Sequence, residues 1–312
     1  MMAKNRKKVL TSGVERFNRV SLPTNILFSL IFILLALLTV IPLIFVIIVS
    51  FSSAESVRKI GYSFVPLEWS LSAYQYLWDL RQIVGRSFMV SIGTTVAGTI
   101  IGLFLNSTMG YVLSRRSFAL RRHFTLLIFI PMLFSGGLVS TYLINTQVLK
   151  LGNTYWALIL PIAVSSFYII VLRTFFQTTI PDSLVESAQI DGASQLTIYS
   201  RIVMPISLPA LATIGLFLTF GYWNSWFPAM LYIQSSHQHM YPLQYVLMSI
   251  EKSIQFLTDN AQFLITQEAL RSIPQESIRM ALVVIVVLPI ACSYPFFQKY
   301  FISGLTIGAV KG

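Results

Sequence analysis

Six long apolar stretches constrain this chain more than any other feature of its sequence. A helix needs about 20 predominantly apolar residues to cross the hydrocarbon core of a bilayer. Of the 312 residues, 55% are hydrophobic and only 11% are charged, whereas a soluble domain carries about 25% charged residues. The sequence therefore predicts an all-α polytopic membrane protein with six transmembrane helices. The predicted spans are 26–50, 87–113, 124–144, 154–172, 203–233 and 280–297.

Basic residues between these spans predict the orientation of the chain, because Lys and Arg are enriched on the cytoplasmic side of membrane proteins. With the N-terminus inside, the inner segments hold 14 of the 22 basic residues. These are Lys4, Arg6, Lys7, Lys8, Arg16, Arg19, Arg115, Arg116, Arg121, Arg122, Arg173, Arg201, Lys299 and Lys311. We therefore expect both termini (1–25 and 300–312) and the loop 173–202 in the cytoplasm, and the loop 234–279 outside. The net charge of +11 indicates membrane anchoring rather than nucleic-acid binding.

The first and the last predicted spans each add a further expectation. The first apolar stretch exceeds the apolar core of a secretory signal, which has roughly 7–15 residues, so we expect it to be retained as a span. The single cysteine, Cys292, excludes an intramolecular disulfide. Its apolar surroundings predict a small buried side chain.

The predicted spans lack the groups that several classes of transporter need. None holds an ionisable residue in its middle, which argues against a proton-driven carrier or a voltage sensor, because such costly groups are kept in lipid for function. The chain also lacks a G-x-x-x-x-G-K-[ST] loop, so any ATPase must be another subunit. Sodium coupling through carbonyl and hydroxyl groups stays open.

Neutral polar residues within the spans have two interpretations. They form interhelical hydrogen bonds, worth about 0.6 kcal/mol each on average, or they line the path of a polar solute. Tyr222, Trp223 and Trp226 either stack on sugar rings or belong to an interfacial aromatic belt. The candidate path residues are Asn106, Asn145, Tyr168, Tyr222 and Asn224.

A polar insert at 173–202 has the pattern of two short helices with a bend between them. Ser183 and Glu186 have the spacing of a capping box, Gly192 can take the positive φ needed at a helix break, and Ser194 can cap a second helix. The insert is too short to bury a core, so we expect it to dock on a partner protein. Glu186 therefore either caps the first helix or contacts that partner. A DNA-binding helix–turn–helix is disfavoured, since both ends are tied to membrane spans.

The insert resembles the EAA loop of ABC-importer permeases, whose pattern is E-A-A, three residues, G, nine residues, I, one residue and L-P. Five residues match at this spacing, namely Glu186, Ala188, Gly192, Ile202 and Pro205, while Ser187 and Met204 are mild departures. The segments NTYWALILP and FFQKYFISGLTIGAVKG resemble the carbohydrate branch, akin to the smaller membrane subunit of the maltose system. IPMLFSGGLVSTYLI resembles the subgroup that takes up complex oligosaccharides.

This resemblance implies a non-catalytic membrane subunit of an ATP-driven, binding-protein-dependent sugar importer in a bacterial cell membrane. It implies a second homologous permease, two cytoplasmic ATPase subunits that use ATP and Mg, and an extracellular sugar-binding lipoprotein that faces the loop 234–279. No cofactor is expected on this chain itself. In the maltose-like system the sugar site lies mainly on the other permease, so the resemblance assigns none here.

The resemblance also implies which residues meet the ATPases. The helix pair would sit in an ATPase groove, and Glu186 would bond to a basic residue there. The implied coupling residues are Glu186, Ser187, Ala188, Asp191, Gly192, Ile202 and Pro205. The tail residues Val310, Lys311 and Gly312 would reach between the ATPases. The alternatives are an ABC permease for a peptide, amino acid or phosphate, and a stand-alone secondary carrier or channel.

Overall fold

The computed structural model describes residues 21–259 and 274–309, and its regular structure is helical. In these ranges the one β feature is an isolated bridge between Ser52 and Trp69. The all-α class is therefore confirmed for the described part of the chain. In chain order the helices are α1 (Leu22–Ser50), α2 (Ala54–Ile60), α3 (Ser72–Asp79), α4 (Arg81–Ser114), α5 (Arg121–Leu133), α6 (Gly137–Val148), α7 (Trp156–Ala163), α8 (Ser166–Thr179), α9 (Asp182–Ile190), α10 (Gln195–Ile206), α11 (Leu208–Trp223), α12 (Phe227–Tyr232), a 3₁₀ helix (Ser235–Met240), α13 (Leu243–Asp259) and α14 (Gln275–Ala309).

Three helices within the described ranges are long and apolar enough to cross a membrane: α1, α4 and the part of α14 from Gln275 to Ser293. Three bent pairs also qualify if each pair is taken as one span, which gives up to six. The pairs are α5 with α6, bent by 120°, α7 with α8, bent by 50°, and α10 with α11, bent by 84°. The structure thus agrees with a membrane protein, while the count of six spans stays a prediction.

Proline and glycine explain where the predicted spans are interrupted. Gly137, with φ +80°, begins α6 after the break that follows α5. The predicted span 203–233 is divided at Ser207, between Pro205 and Pro209, because proline has no backbone N–H to continue the helical hydrogen bonds. That span is divided again at Asn224, which ends α11.

The centre of the fold is α4, which packs against α7, α8 and α11. One face of α4 carries small residues one turn apart, so these helices approach its backbone closely. A Cβ at Gly98 would overlap the ring of Tyr222, and a Cβ at Gly102 would lie 2.9 Å from the Ala163 carbonyl oxygen. At Gly110 the nearest atom, the backbone nitrogen of Arg173, would lie at 3.1 Å.

The outer helices are far less covered than α4. Almost all of α1 exposes its apolar side chains, and only Val49 and Ser50 at its end are buried. No residue of α5 is buried. Cys292 on α14 is exposed, so the expectation of a buried cysteine is wrong: its position within an apolar run reflects the surroundings of a membrane helix, not of a protein core.

Candidate functional site

The predicted insert forms two helices, α9 and α10, separated by a tight break. The amide N–H of Gly192 donates to the Gln189 carbonyl at 3.0 Å, and that of Ala193 donates to the Ala188 carbonyl at 2.9 Å. This pair of bonds is a Schellman motif, which needs a left-handed residue after the helix. Gly192 supplies it with φ +81°. The predicted bend is therefore confirmed.

The two ends at which α9 and α10 begin are capped differently. The Ser194 hydroxyl accepts a hydrogen bond from the Thr197 N–H at 3.2 Å, so the predicted cap of the second helix is confirmed. The capping box of Ser183 and Glu186 does not form, because α9 begins earlier, with Pro181 in the N-cap position and no side-chain cap. Pro181 has no N–H that Glu186 could accept from. The capping role of Glu186 is wrong.

The inner faces of α9 and α10 anchor the pair to the core of the fold. Val185, Ile198 and Tyr199 are buried in one cluster that also holds Leu172 and Phe176 of α8. The Tyr199 hydroxyl lies 2.6 Å from the Ser107 hydroxyl of α4, and the Tyr111 hydroxyl of α4 donates to Gln195 Oε1 at 3.2 Å. The two hydrogen bonds attach α10 directly to the C-terminal end of α4, while α9 contributes Val185 to the same buried cluster.

Arg115, at the end of α4, adds an ionic connection to the start of α9. Its guanidinium is buried and donates from Nη2 to the Phe176 carbonyl at 3.2 Å. Its Nη1 lies 3.5 Å from Asp182 Oδ1 and makes no hydrogen bond, while Arg116 Nε lies 3.5 Å from Asp182 Oδ2. The sequence contained no signal for this role, because Arg115 and Arg116 stand in a run of arginines that indicates orientation.

The outer faces of the pair combine uncovered apolar side chains with acidic ones. Ile190 is 86% exposed and Leu196 is 73% exposed, and Glu186 and Asp191 are exposed beside them. Glu186 makes no hydrogen bond or ion pair with any residue in the described ranges. Large apolar side chains left uncovered beside a free carboxylate are typical of a protein-docking surface.

The predicted coupling residues divide between these two faces. Glu186, Ser187, Asp191 and Gly192 are exposed together, and the Ser187 hydroxyl donates to the Ser183 carbonyl. Ala188 and Ile202 instead pack partly buried against the core, and Pro205 is exposed just before the bend at Ser207. The predicted tail residues Val310, Lys311 and Gly312 lie outside the described residues.

Asn106, one candidate path residue, is fully buried and serves the break between α7 and α8. Its amide nitrogen donates to the Ala163 carbonyl at 2.8 Å, and its amide oxygen accepts from the Ser165 N–H at 3.0 Å. These are backbone groups next to the break that a continuous helix would have satisfied. Asn106 therefore makes interhelical hydrogen bonds, which is the first of the two interpretations offered for polar residues in the spans.

The other candidate path residues occupy different surroundings. Asn145 is buried and donates to the Tyr232 hydroxyl at 3.0 Å, and the exposed Asn224 accepts from Gln244 at 3.1 Å. Tyr168 and Tyr222 line a cavity of about 370 Å³. The Tyr222 hydroxyl donates to the Ile159 carbonyl at 2.8 Å.

Trp223, at the end of α11, fits neither of the two interpretations drawn from the sequence. Trp223 is buried, and its Nε1 donates to the Val286 carbonyl of α14 at 3.2 Å. It therefore belongs neither to an interfacial belt nor to a sugar-stacking surface, because its ring is packed within the described fold. Trp226 is 37% exposed.

Comparison with known proteins identifies the chain's family. A family model described as the binding-protein-dependent transport system inner membrane component matches residues 94–307, which include α9 and α10. The chain belongs to this family. The permease is 41% identical over 281 residues to a polygalacturonan/rhamnogalacturonan transport system permease, YtcP, of Bacillus subtilis, covering 90% of the permease and 95% of the relative. It is 39% identical over 275 residues to the Bacillus subtilis protein LplC, covering 88% and 90% respectively.

A solved structure is similar to the permease in both fold and sequence. A crystal structure of a bacterial ABC transporter, involved in the import of the acidic polysaccharide alginate, contains a chain that superposes with a TM-score of 0.76 and 29% identity. The match covers 94% of the permease and 99% of that chain. The resemblance to carbohydrate ABC-importer permeases is therefore confirmed, and the permease is a transport subunit located in a membrane.

Proposed function

We propose that the permease forms half of the translocation path of an ATP-driven, binding-protein-dependent importer for oligosaccharides of acidic polysaccharides. The family match supports the transport role. The names of two similar proteins support the cargo, since one transports polygalacturonan and rhamnogalacturonan and the other belongs to an alginate importer. Both kinds of polysaccharide are built largely from uronic acids, which carry a carboxylate at neutral pH.

The proposed assembly contains a second homologous permease, two cytoplasmic ATPase subunits and an external sugar-binding lipoprotein. The observation that carries this proposal is the surface of α9 and α10. It presents Glu186, Ile190 and Leu196 outward, while its inner face is fixed to α4. A groove on each ATPase would accept such a surface, and this chain would carry out no ATP chemistry of its own.

Coupling then follows from the way the helix pair is attached. When ATP draws the two ATPases together, the grooves move, and the docked pair moves with them as a rigid body. Because α9 and α10 bond to Tyr111, Ser107 and Arg115, the displacement reaches α4 directly. The outward-open state is favoured only to the extent that ATP and the loaded binding protein bind that state more tightly.

Uptake by the reconstituted complex tests this function. Proteoliposomes that contain both permeases and both ATPases, supplied with the external binding protein, should accumulate labelled trigalacturonate only when ATP is enclosed. Maltotriose, a neutral sugar of the same length, should not compete. Uptake that needs an ion gradient rather than ATP would indicate a secondary carrier. Stimulation of ATP hydrolysis by a peptide, an amino acid or phosphate instead would indicate a permease for another solute.

A further inference from the structure

A second cavity lies at the end of α4 opposite the α9–α10 pair. Its volume is about 790 Å³, within the range of roughly 300–1,000 Å³ that is usual for small-molecule sites. Arg86 at the beginning of α4, Tyr155 and Trp156 at the beginning of α7, and His239 of the 3₁₀ helix form part of its lining. None of these residues was a predicted site residue.

Arg86 provides an unpaired positive charge at this cavity. In the described ranges, 21–259 and 274–309, it makes no hydrogen bond and no ion pair with a carboxylate. Arg81, five residues earlier, differs because its guanidinium donates to the Trp78 carbonyl at 3.1 Å and lies over the Trp78 ring. Arg279 likewise pairs with Glu276 at 3.0 Å. A guanidinium has the fork geometry that binds a carboxylate with two parallel hydrogen bonds.

Two aromatic rings that line the same cavity as Arg86 have much of their surface uncovered. Tyr155 is 44% exposed and Trp156 is 51% exposed. Neither side chain has a hydrogen-bond partner among the described residues, so the Tyr155 hydroxyl and the Trp156 indole N–H are both free to bind a ligand. The apolar C–H face of a sugar ring packs on such rings, while its hydroxyl groups reach the polar atoms at the ring edges.

The wall that α4 contributes to the cavity leaves room for a sugar ring. Gly93 lines the cavity, and a Cβ built there would have no atom within 4 Å. Thr94 lies next to it, but its hydroxyl already donates to the Val90 carbonyl at 2.9 Å. The cavity therefore combines the unpaired guanidinium of Arg86, the exposed rings of Tyr155 and Trp156, and an open wall at Gly93.

We propose that this cavity is a binding subsite for one uronate residue of the transported oligosaccharide, with Arg86 pairing with its carboxylate and Trp156 stacking on its ring. The inference rests on the proposed function for its cargo, but it places a sugar contact on this chain. Arg86 precedes Tyr111 by 25 helical residues, so the subsite lies about 38 Å along α4 from the coupling contacts, at 1.5 Å per residue.

Binding without the external protein tests the subsite directly. The full complex of permeases and ATPases in nanodiscs is dialysed against labelled trigalacturonate, and against its fully methyl-esterified form, which has no charge. We expect saturable binding of trigalacturonate that weakens at least tenfold in Arg86→Gln, the usual loss when a charge-assisted pair is broken. Arg86→Lys should recover part of the affinity, because Lys restores the charge but not the fork geometry. The methyl ester should bind wild type and Arg86→Gln equally.

Two further variants separate this role from an effect on assembly. Arg81→Gln, at the same end of α4 but outside the cavity, should bind trigalacturonate as wild type does. Trp156→Ala should weaken both the charged sugar and its ester, because stacking does not depend on charge. No binding by wild type, or equal binding by wild type and Arg86→Gln, would overturn the subsite; a loss of equal size for both sugars in Arg86→Gln would show that Arg86 maintains structure only.

Uptake measured in parallel distinguishes the two proposals. If trigalacturonate binds in the expected manner but is not imported, the subsite stands and the proposed cargo fails. If wild type imports trigalacturonate and Arg86→Gln does so at an unchanged maximal rate, the cargo stands and the subsite fails. The supporting outcome is import by wild type with a maximal rate that falls about tenfold in Arg86→Gln for the charged sugar alone.

Discussion

Gly192 is the residue on which the shape of the helix pair depends most directly. Its φ of +81° is one that residues with a Cβ adopt only at a cost, although no atom lies within 4 Å of the place a Cβ would take. A substitution there therefore introduces backbone strain and no collision. For a β-branched residue the cost is about 1–2 kcal/mol, and the helix pair can avoid it by changing the angle between α9 and α10.

Gly192→Val should therefore lower the number of sugar molecules imported per ATP hydrolysed, while the protein still inserts and assembles. Gly192→Asn is the matched control, because Asn tolerates positive φ far better than Val. Transport and ATPase rates are measured on the same proteoliposomes. A normal ratio in Gly192→Val would show that the bend does not take part in coupling.

Glu186 is free to meet a partner, because the capping role that its spacing suggested is absent. Glu186→Ala should weaken the association of ATPase subunits with the purified membrane complex, by about tenfold for the loss of a charge-assisted hydrogen bond. Glu186→Gln separates the charge from the shape of the side chain. Microscale thermophoresis of ATPase binding measures the change, and unchanged affinity in both variants would contradict a docking contact.

At the scale of elements, the fold depends on close contact between α4 and its neighbours. Gly98→Ala should destabilise the permease by about 1–3 kcal/mol, because the added methyl group must displace the Tyr222 ring and its hydrogen bond to Ile159. Gly85→Ala, in the same helix with no atom within 4 Å, is the control, and it should be neutral or slightly stabilising because Ala favours helix. Thermal unfolding in detergent compares them, and equal midpoints would refute the tight α4–α11 contact.

Two breaks between helices show what could and could not be predicted from the sequence. The bend between α9 and α10 depends on local features, a glycine with positive φ and a serine cap, and both were predicted. The break between α7 and α8 has a non-local cause: Asn106, nearly 60 positions from Ala163 and Ser165, satisfies the freed backbone groups. A polar residue in an apolar run does not reveal which distant groups it will meet, so its role, like that of Arg115 at Asp182, required the tertiary structure.

At the scale of the whole molecule, the orientation in the membrane is the prediction that most affects function. Labelling of single cysteines with a membrane-impermeant maleimide tests it in a background where Cys292, the sole cysteine, is replaced. In cells that express both permeases without the ATPases, Gln238→Cys on the 3₁₀ helix should react in intact cells. Gln189→Cys on α9 should react only after permeabilisation. The reverse pattern would place the helix pair outside the cell and exclude docking to an ATPase.

The length of α4 also has a geometric consequence for transport. The same unbroken helix carries Arg86 near one end and Tyr111 near the other. If that helix swings as a stiff rod by about 10°, ends that lie about 38 Å apart shift relative to each other by about 7 Å. A small rotation imposed by the ATPases at one end of α4 would then become a displacement wider than a sugar ring at the other end. Such a displacement is large enough to alternate which side of the bilayer has access to the cargo.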